Sequence, residues 1–139
     1  MVNEEDKTSG PDSKGRRVIV ADDDPAILRL VKTILEKENY TVVTARDGRE
    51  AYKILQNDQN FTVGVFDVVM PHISGPELVR FMKTEEKLKR IPVMMMTAEQ
   101  DPKLSSESFS AGAVVFLPKP FTTSQLQIML QMLTGKGGD

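Results

Sequence analysis

Short apolar runs rich in β-branched residues alternate along the chain with segments whose apolar positions recur at helical spacing. That is the pattern of a parallel sheet assembled from βα units. The runs are Val18-Ile19-Val20, Tyr40-Thr41-Val42-Val43, Phe61 to Phe66, Pro92 to Met96 and Ala113 to Leu117, and they predict five strands. After the first run, Ala26, Ile27, Leu30, Val31, Ile34 and Leu35 lie close to one stripe counted i, i+3, i+4, i+7, i+8 from Ile27, which predicts a one-faced helix. Asp24 is placed to cap it and Pro25 to open it. A second helix is expected from about Asp47-Gly48, with Ala51, Ile54 and Leu55 inward. A third starts at Gly75-Pro76 with Leu78, Val79 and Met82 inward, and the last follows Phe121-Thr122 with Leu126, Met129, Leu130 and Leu133 inward. Between Asp101 and Ser110 the signal is poor. Leu104 and Phe109 are the large apolar residues there, and Ser105, Ser106, Ser108 and Ser110 have modest helix propensity, so a fourth helix is expected to be the loosest. The expected architecture is an open, doubly wound α/β sheet of five parallel strands flanked by five helices, with its functional crevice beyond the carboxyl ends of the strands.

Polar segments bound this unit. Residues 1–15 are mixed in charge and broken by Gly10, Pro11 and Gly15, which reads as a flexible tail. Residues 135–139, Gly-Lys-Gly-Gly-Asp, have the same character, with no effector domain after them, so the folded domain is expected over 16–134. A chain of 139 residues suits one domain. Its 18 Lys+Arg against 20 Asp+Glu give a net charge of −2, which supplies no positive field for direct binding of nucleic acid. The absence of cysteine excludes disulfides and thiolate metal sites and fits a reducing compartment. The N-terminus lacks the basic and apolar regions of a signal peptide, and no apolar run approaches the roughly 18 residues needed to span a bilayer. A cytoplasmic protein with no membrane insertion is expected.

The polar residues that end the predicted strands form a set. The first strand runs into Asp22-Asp23-Asp24, the third into Asp67, the fourth into Thr97 and the fifth into the turn carrying Lys119. Carboxylates gathered at one sheet edge repel: a pair ~4 Å apart costs about 4 kcal/mol at an effective dielectric near 20. The Lys119 ammonium and a hard divalent cation held by oxygen ligands can offset this, and Mg²⁺ suits the role. Metal, lysine, hydroxyl and a nucleophilic carboxylate together suit phosphoryl transfer.

Several motifs then resemble one family in order. They are Val20-Ala21-Asp22-Asp23-Asp24-Pro25, Phe66-Asp67-Val68-Val69-Met70-Pro71-His72-Ile73-Ser74-Gly75, Ile91-Pro92-Val93-Met94-Met95-Met96-Thr97-Ala98, and Gly112-Ala113 followed by Phe116-Leu117-Pro118-Lys119-Pro120-Phe121. The chain is similar to the response-regulator receiver domains of two-component signalling, single-domain and chemotaxis-regulator-like, over essentially all of Arg17 to Leu133. The resemblance implies the flavodoxin-like (βα)5 receiver fold. It makes Asp67 the phosphoacceptor, with Asp22 and Asp23 positioning Mg²⁺, Asp23 as the direct ligand, and the Val69 carbonyl contributing. It makes Thr97 a hydrogen-bond donor to the phosphoryl group, Lys119 its ion-pair partner, Lys119-Pro120 a cis peptide and Phe116 an aromatic switch coupled to Thr97. It implies phosphorylation by a sensor histidine kinase or phosphotransfer protein, catalysis limited to the domain's own phosphorylation and dephosphorylation, and an output partner that the sequence does not identify.

Other readings of these residues compete. The three aspartates after the first strand could be solvated acids at a helix N-terminus, and for Asp24 a cap is favoured over a ligand. His72, the one histidine, lies in a Gly-bounded loop rather than on an exposed helix, which argues against a phosphohistidine donor. Met94, Met95 and Met96 read as strand packing. Ile128 and Met132 fall opposite the inward stripe of the last helix. Given the family's use of its last two helices and fifth strand for output, they are candidates for a partner surface or a homodimer interface. A phosphohydrolase would place its nucleophile after the first strand and need a cap domain. A flavin or nucleotide binder would need a loop there that cradles phosphate rather than one carrying three acids. A receiver that signals without phosphorylation would not need the full polar set.

Overall fold

The computed structural model describes residues 16–98, 106, 110–112 and 115–135. Among these, five parallel strands form one sheet in the order β2-β1-β3-β4-β5, where β1 is Arg17–Ala21, β2 Thr41–Ala45, β3 Val63–Asp67, β4 Val93–Thr97 and β5 Val115–Pro118. Four helices accompany them: α1 Pro25–Lys37, α2 Gly48–Asn57, α3 Gly75–Thr84 and α4 Thr123–Thr134. Helical backbone also occurs at Ser106 and Ser110–Ala111, within or next to the weakly signalled segment. The rest of that expected helix, and the expected tails at 1–15 and 136–139, lie outside the described residues. No helix among the described residues is long and apolar enough to cross a membrane.

Strand alternation divides the core into two faces. Ile19, Ala21, Phe66 and Met95 pack with Ala51, Leu55, Leu78, Val79 and Met82 of α2 and α3. Val18, Val20, Val63, Val65, Met94, Met96 and Leu117 pack with Leu28, Val31, Leu35, Leu126 and Leu130 of α1 and α4. Met94, Met95 and Met96 are fully buried, as expected of a central strand covered on both sides. Each such side chain contributes about 1.5–3 kcal/mol of transfer free energy.

Local signals set the helix starts. Asp24 accepts from the Ala26 N–H at 2.9 Å with Pro25 behind it, so the acid is the cap of α1, as expected. Asp47 caps α2, while Ser74–Glu77 and Thr122–Gln125 form reciprocal capping boxes at α3 and α4. The inward face of α1 differs from the expected stripe. Leu28 is buried and Ile27 only half-buried, while Leu30 is 43% exposed. The helix is rolled so that its contact face centres near Val31 and Leu35, because it must meet the sheet and α4 together. Gln127 Nε2 on α4 reaches Glu38 Oε2 just past α1, at 3.0 Å.

Candidate functional site

The strand order reverses between β1 and β3, so their connections leave in opposite directions and open a crevice at the carboxyl edge. Asp22 follows β1 and Asp67 ends β3, which places both carboxylates at that opening. Oxygens of Asp22, Asp23 and Asp67 all lie within 4.8 Å of one another. Lys119 reaches into the same space, with its ammonium 2.8 Å from Asp22 Oδ2 and 3.4 Å from Asp67 Oδ2.

Each side chain is aimed by its surroundings. Asp22 is fully buried, and its Oδ1 accepts from the Asp24 N–H at 2.9 Å. Its Oδ2 is buried and meets the Lys119 ammonium, which donates to it across 2.8 Å. Thr97 is buried at the end of β4, one position beyond the Asp67–Met96 pairing. The Lys119 N–H donates to the Thr97 carbonyl at 2.8 Å, tying the lysine turn to that strand end, and the Lys119–Pro120 peptide is cis. Gly75 lets α3 begin hard against the acceptor strand: a Cβ there would meet the Asp67 carbonyl and lie 2.7 Å from Met95 Cε.

Burial, and then the neighbouring Asp22 charge, raise the Asp67 pKa to about 6, although Lys119 and the Val69 backbone N–H pull the other way. Burial alone would lower the Lys119 pKa. Its contacts with Asp22 and Asp67 outweigh that and hold it above its ordinary value.

Among the described residues, three carboxylates face one ammonium, which leaves excess negative charge in a crevice of hard oxygen donors. A small divalent cation fits that donor set of carboxylate oxygens from Asp22, Asp23 and Asp67.

The family model described as "Response regulator receiver domain" matches residues 18–131. The chain belongs to the response-regulator receiver family. This receiver is 32% identical over 123 residues to the two-component response regulator ARR10 of Arabidopsis thaliana, covering 88% of this chain and 22% of that protein. It is 31% identical over 118 residues to the response regulator RppA of Synechocystis, covering 84% of this chain and 50% of that protein. The chain thus spans half or less of those two relatives. Its fold matches the Vibrio cholerae chemotaxis protein CheY4 with TM-score 0.80 and 35% identity, covering 85% of this chain and 98% of that one. Receiver domains are signalling modules rather than enzymes with a separate substrate, and they interact with histidine kinases and phosphotransfer proteins.

Of the residues singled out in the sequence, Asp22, Asp23, Asp67 and Lys119 meet in one cluster, with Thr97 at the adjoining strand end. Val69 enters through its backbone N–H on Asp67, while the residue as a whole is 59% exposed. Phe116 is half-buried on β5, pairs in register with Met95 and packs on the α2–α3 face. Ile128 and Met132 lie on α4 and are among the most exposed large apolar residues described. Sequence reasoning missed Arg49, which touches His72 from 23 positions away with no local pattern to signal it.

Proposed function

We propose that this receiver accepts a phosphoryl group on Asp67 in a Mg²⁺-dependent reaction and changes its partner-binding surface in response. The observation that carries this reading is the gathering of the Asp22, Asp23 and Asp67 oxygens within 4.8 Å, with the Lys119 ammonium bridging two of them. An Asp67 oxygen attacks phosphorus as the bond to the donor's leaving group breaks, the electron pair departing with that group. Lys119 neutralises one phosphoryl oxygen, and the Thr97 hydroxyl donates to another. Asp22 and Asp23 would hold the cation, Asp23 as direct ligand, with the Val69 carbonyl and Asp67 completing the protein's share. When bound, Mg²⁺ supplies positive charge to the phosphoryl oxygens.

The phosphorylated carboxylate carries more negative charge and more acceptor oxygens than aspartate, which draws Thr97 and Lys119 toward it. Phe116 on β5 is the residue through which that shift would reach the surface, and its half-buried position supports such a role. A sensor histidine kinase or phosphotransfer protein is the proposed donor and a cytoplasmic setting the proposed location. The domain's catalysis is confined to its own phosphorylation and dephosphorylation. Ile128 and Met132 are proposed to belong to a partner or homodimer surface built from the last two helices and β5.

Incubation with Mg²⁺ and acetyl phosphate, followed by intact-mass measurement, tests the reading. One added phosphoryl group is expected, lost in Asp67→Ala and in the presence of EDTA. No mass gain under conditions that label another receiver sinks it.

A further inference from the structure

The loop between β3 and α3 carries Val69, and it is held from a helix that gives no residue to the acid cluster. Gly48 opens α2 beneath Ile73: a Cβ there would overlap the Ile73 carbonyl and lie 2.8 Å from Ile73 Cβ. One residue on, Arg49 Nη2 stands 2.9 Å from His72 Nδ1. A guanidinium only donates, so Nδ1 is the acceptor in this contact. His72 adopts φ 74, a left-handed conformation uncommon for residues other than glycine, which its surroundings must hold. Within the loop the Ile73 N–H donates to the Pro71 carbonyl at 2.8 Å, and the Gly75 N–H returns to Val68 at 3.0 Å. The base of the loop is therefore closed onto the strand end bearing Asp67, while its apex rests on α2.

We propose that Arg49 and His72, seated over Gly48, are positioning residues that fix this loop and so aim the Val69 backbone at Asp67 and at the cation. The effect on the cation rests on the phosphoacceptor reading given above; the effect on Val69 does not. His72 thus acts as a hydrogen-bond acceptor for Arg49. Arg49 touches no reacting atom and works through the loop.

Two measurements test this. One is hydrogen exchange at the Val69 amide in metal-free protein, compared with Val79 as a remote reference. The other is Mg²⁺ affinity by calorimetry. Loss of one exposed hydrogen bond is worth about a twofold to fivefold change, so Arg49→Ala should speed Val69 exchange and weaken Mg²⁺ binding by that factor while leaving Val79 unchanged. Gly48→Ala should act in the same direction. His72→Asn places an oxygen acceptor where Nδ1 stands and tolerates the left-handed backbone, so it should keep wild-type values in both measurements. The proposal is overturned if Arg49→Ala leaves Val69 exchange unchanged, or if it speeds Val69 and Val79 alike. Wild-type protein that takes up no Mg²⁺ would remove the phosphoacceptor reading, and Val69 exchange would still decide the brace.

Discussion

Lys119 pairs most closely with Asp22, at 2.8 Å from Nζ to Oδ2, while 3.4 Å separates the same ammonium from Asp67. The lysine therefore compensates the most buried acid of the crevice first. Removing it leaves that carboxylate without its counter-charge. Lys119→Ala should be destabilised by about 3 kcal/mol in EDTA, as when one partner of a buried pair is lost. Added Mg²⁺ should restore part of this by binding the same acids. Urea melts with and without Mg²⁺ check both halves; a variant as stable as wild type in EDTA would refute the compensation.

The raised Asp67 pKa, about 6 against an ordinary 3.8, has a definite sign for stability. Between those values the folded protein keeps a proton that the unfolded chain has released, so metal-free stability falls as pH rises through that window. Asp67→Asn removes the titration. Relative to wild type it should be more stable by about 2 kcal/mol at pH 7 and nearly equal at pH 4. Mg²⁺ competes with the same proton, so its affinity for wild type should drop below pH 6. Denaturation and calorimetry across pH 4–8 measure these; a Mg²⁺ affinity flat through pH 6 would contradict them.

Gly75 is required by close approach rather than by its backbone angles. A methyl group there meets the Asp67 carbonyl, which cannot swing aside as a flexible side chain could. Gly75→Ala should cost about 1–3 kcal/mol of stability through overpacking. It should also slow phosphorylation by acetyl phosphate, because the clash bears on the acceptor's own backbone. Normal phosphorylation in a destabilised variant would show that the strain is relieved elsewhere.

Ile128 and Met132, 56% and 65% exposed, stand one turn apart on α4. Lysine at both positions should leave the fold intact, since neither side chain is in the core. It should weaken self-association or partner binding after phosphorylation. Sedimentation velocity of phosphorylated wild type and the double variant decides it; identical profiles and identical partner affinity would remove these residues from the interface.

Much was legible in the chain because the decisive signals are local. Strand runs such as Val18-Ile19-Val20 announce themselves by composition. Asp24, Asp47, Ser74 and Thr122 mark helix starts because a side-chain oxygen must satisfy N–H groups two or three residues away. The inward set of α3, Leu78, Val79 and Met82, is buried as its spacing requires. The acids and Lys119 could be assigned to one edge because parallel strands end on the same side.

Other features depended on neighbours remote in sequence. The roll of α1 toward Leu28 and away from Leu30 reflects how the helix meets the sheet and α4, which periodicity alone does not specify. The pairing of Lys119 with Asp22 ahead of Asp67 depends on how far the lysine turn reaches across two strands. The contact between Arg49 and His72, and the seat of Ile73 on Gly48, join segments with no shared local pattern. The sequence by itself determined which residues could form strands, caps and an acidic crevice, since those depend on propensity and on hydrogen bonds within a turn. Only the tertiary structure decided which acid the lysine serves and what holds the loop beside it, because those depend on distances between elements that packing alone sets.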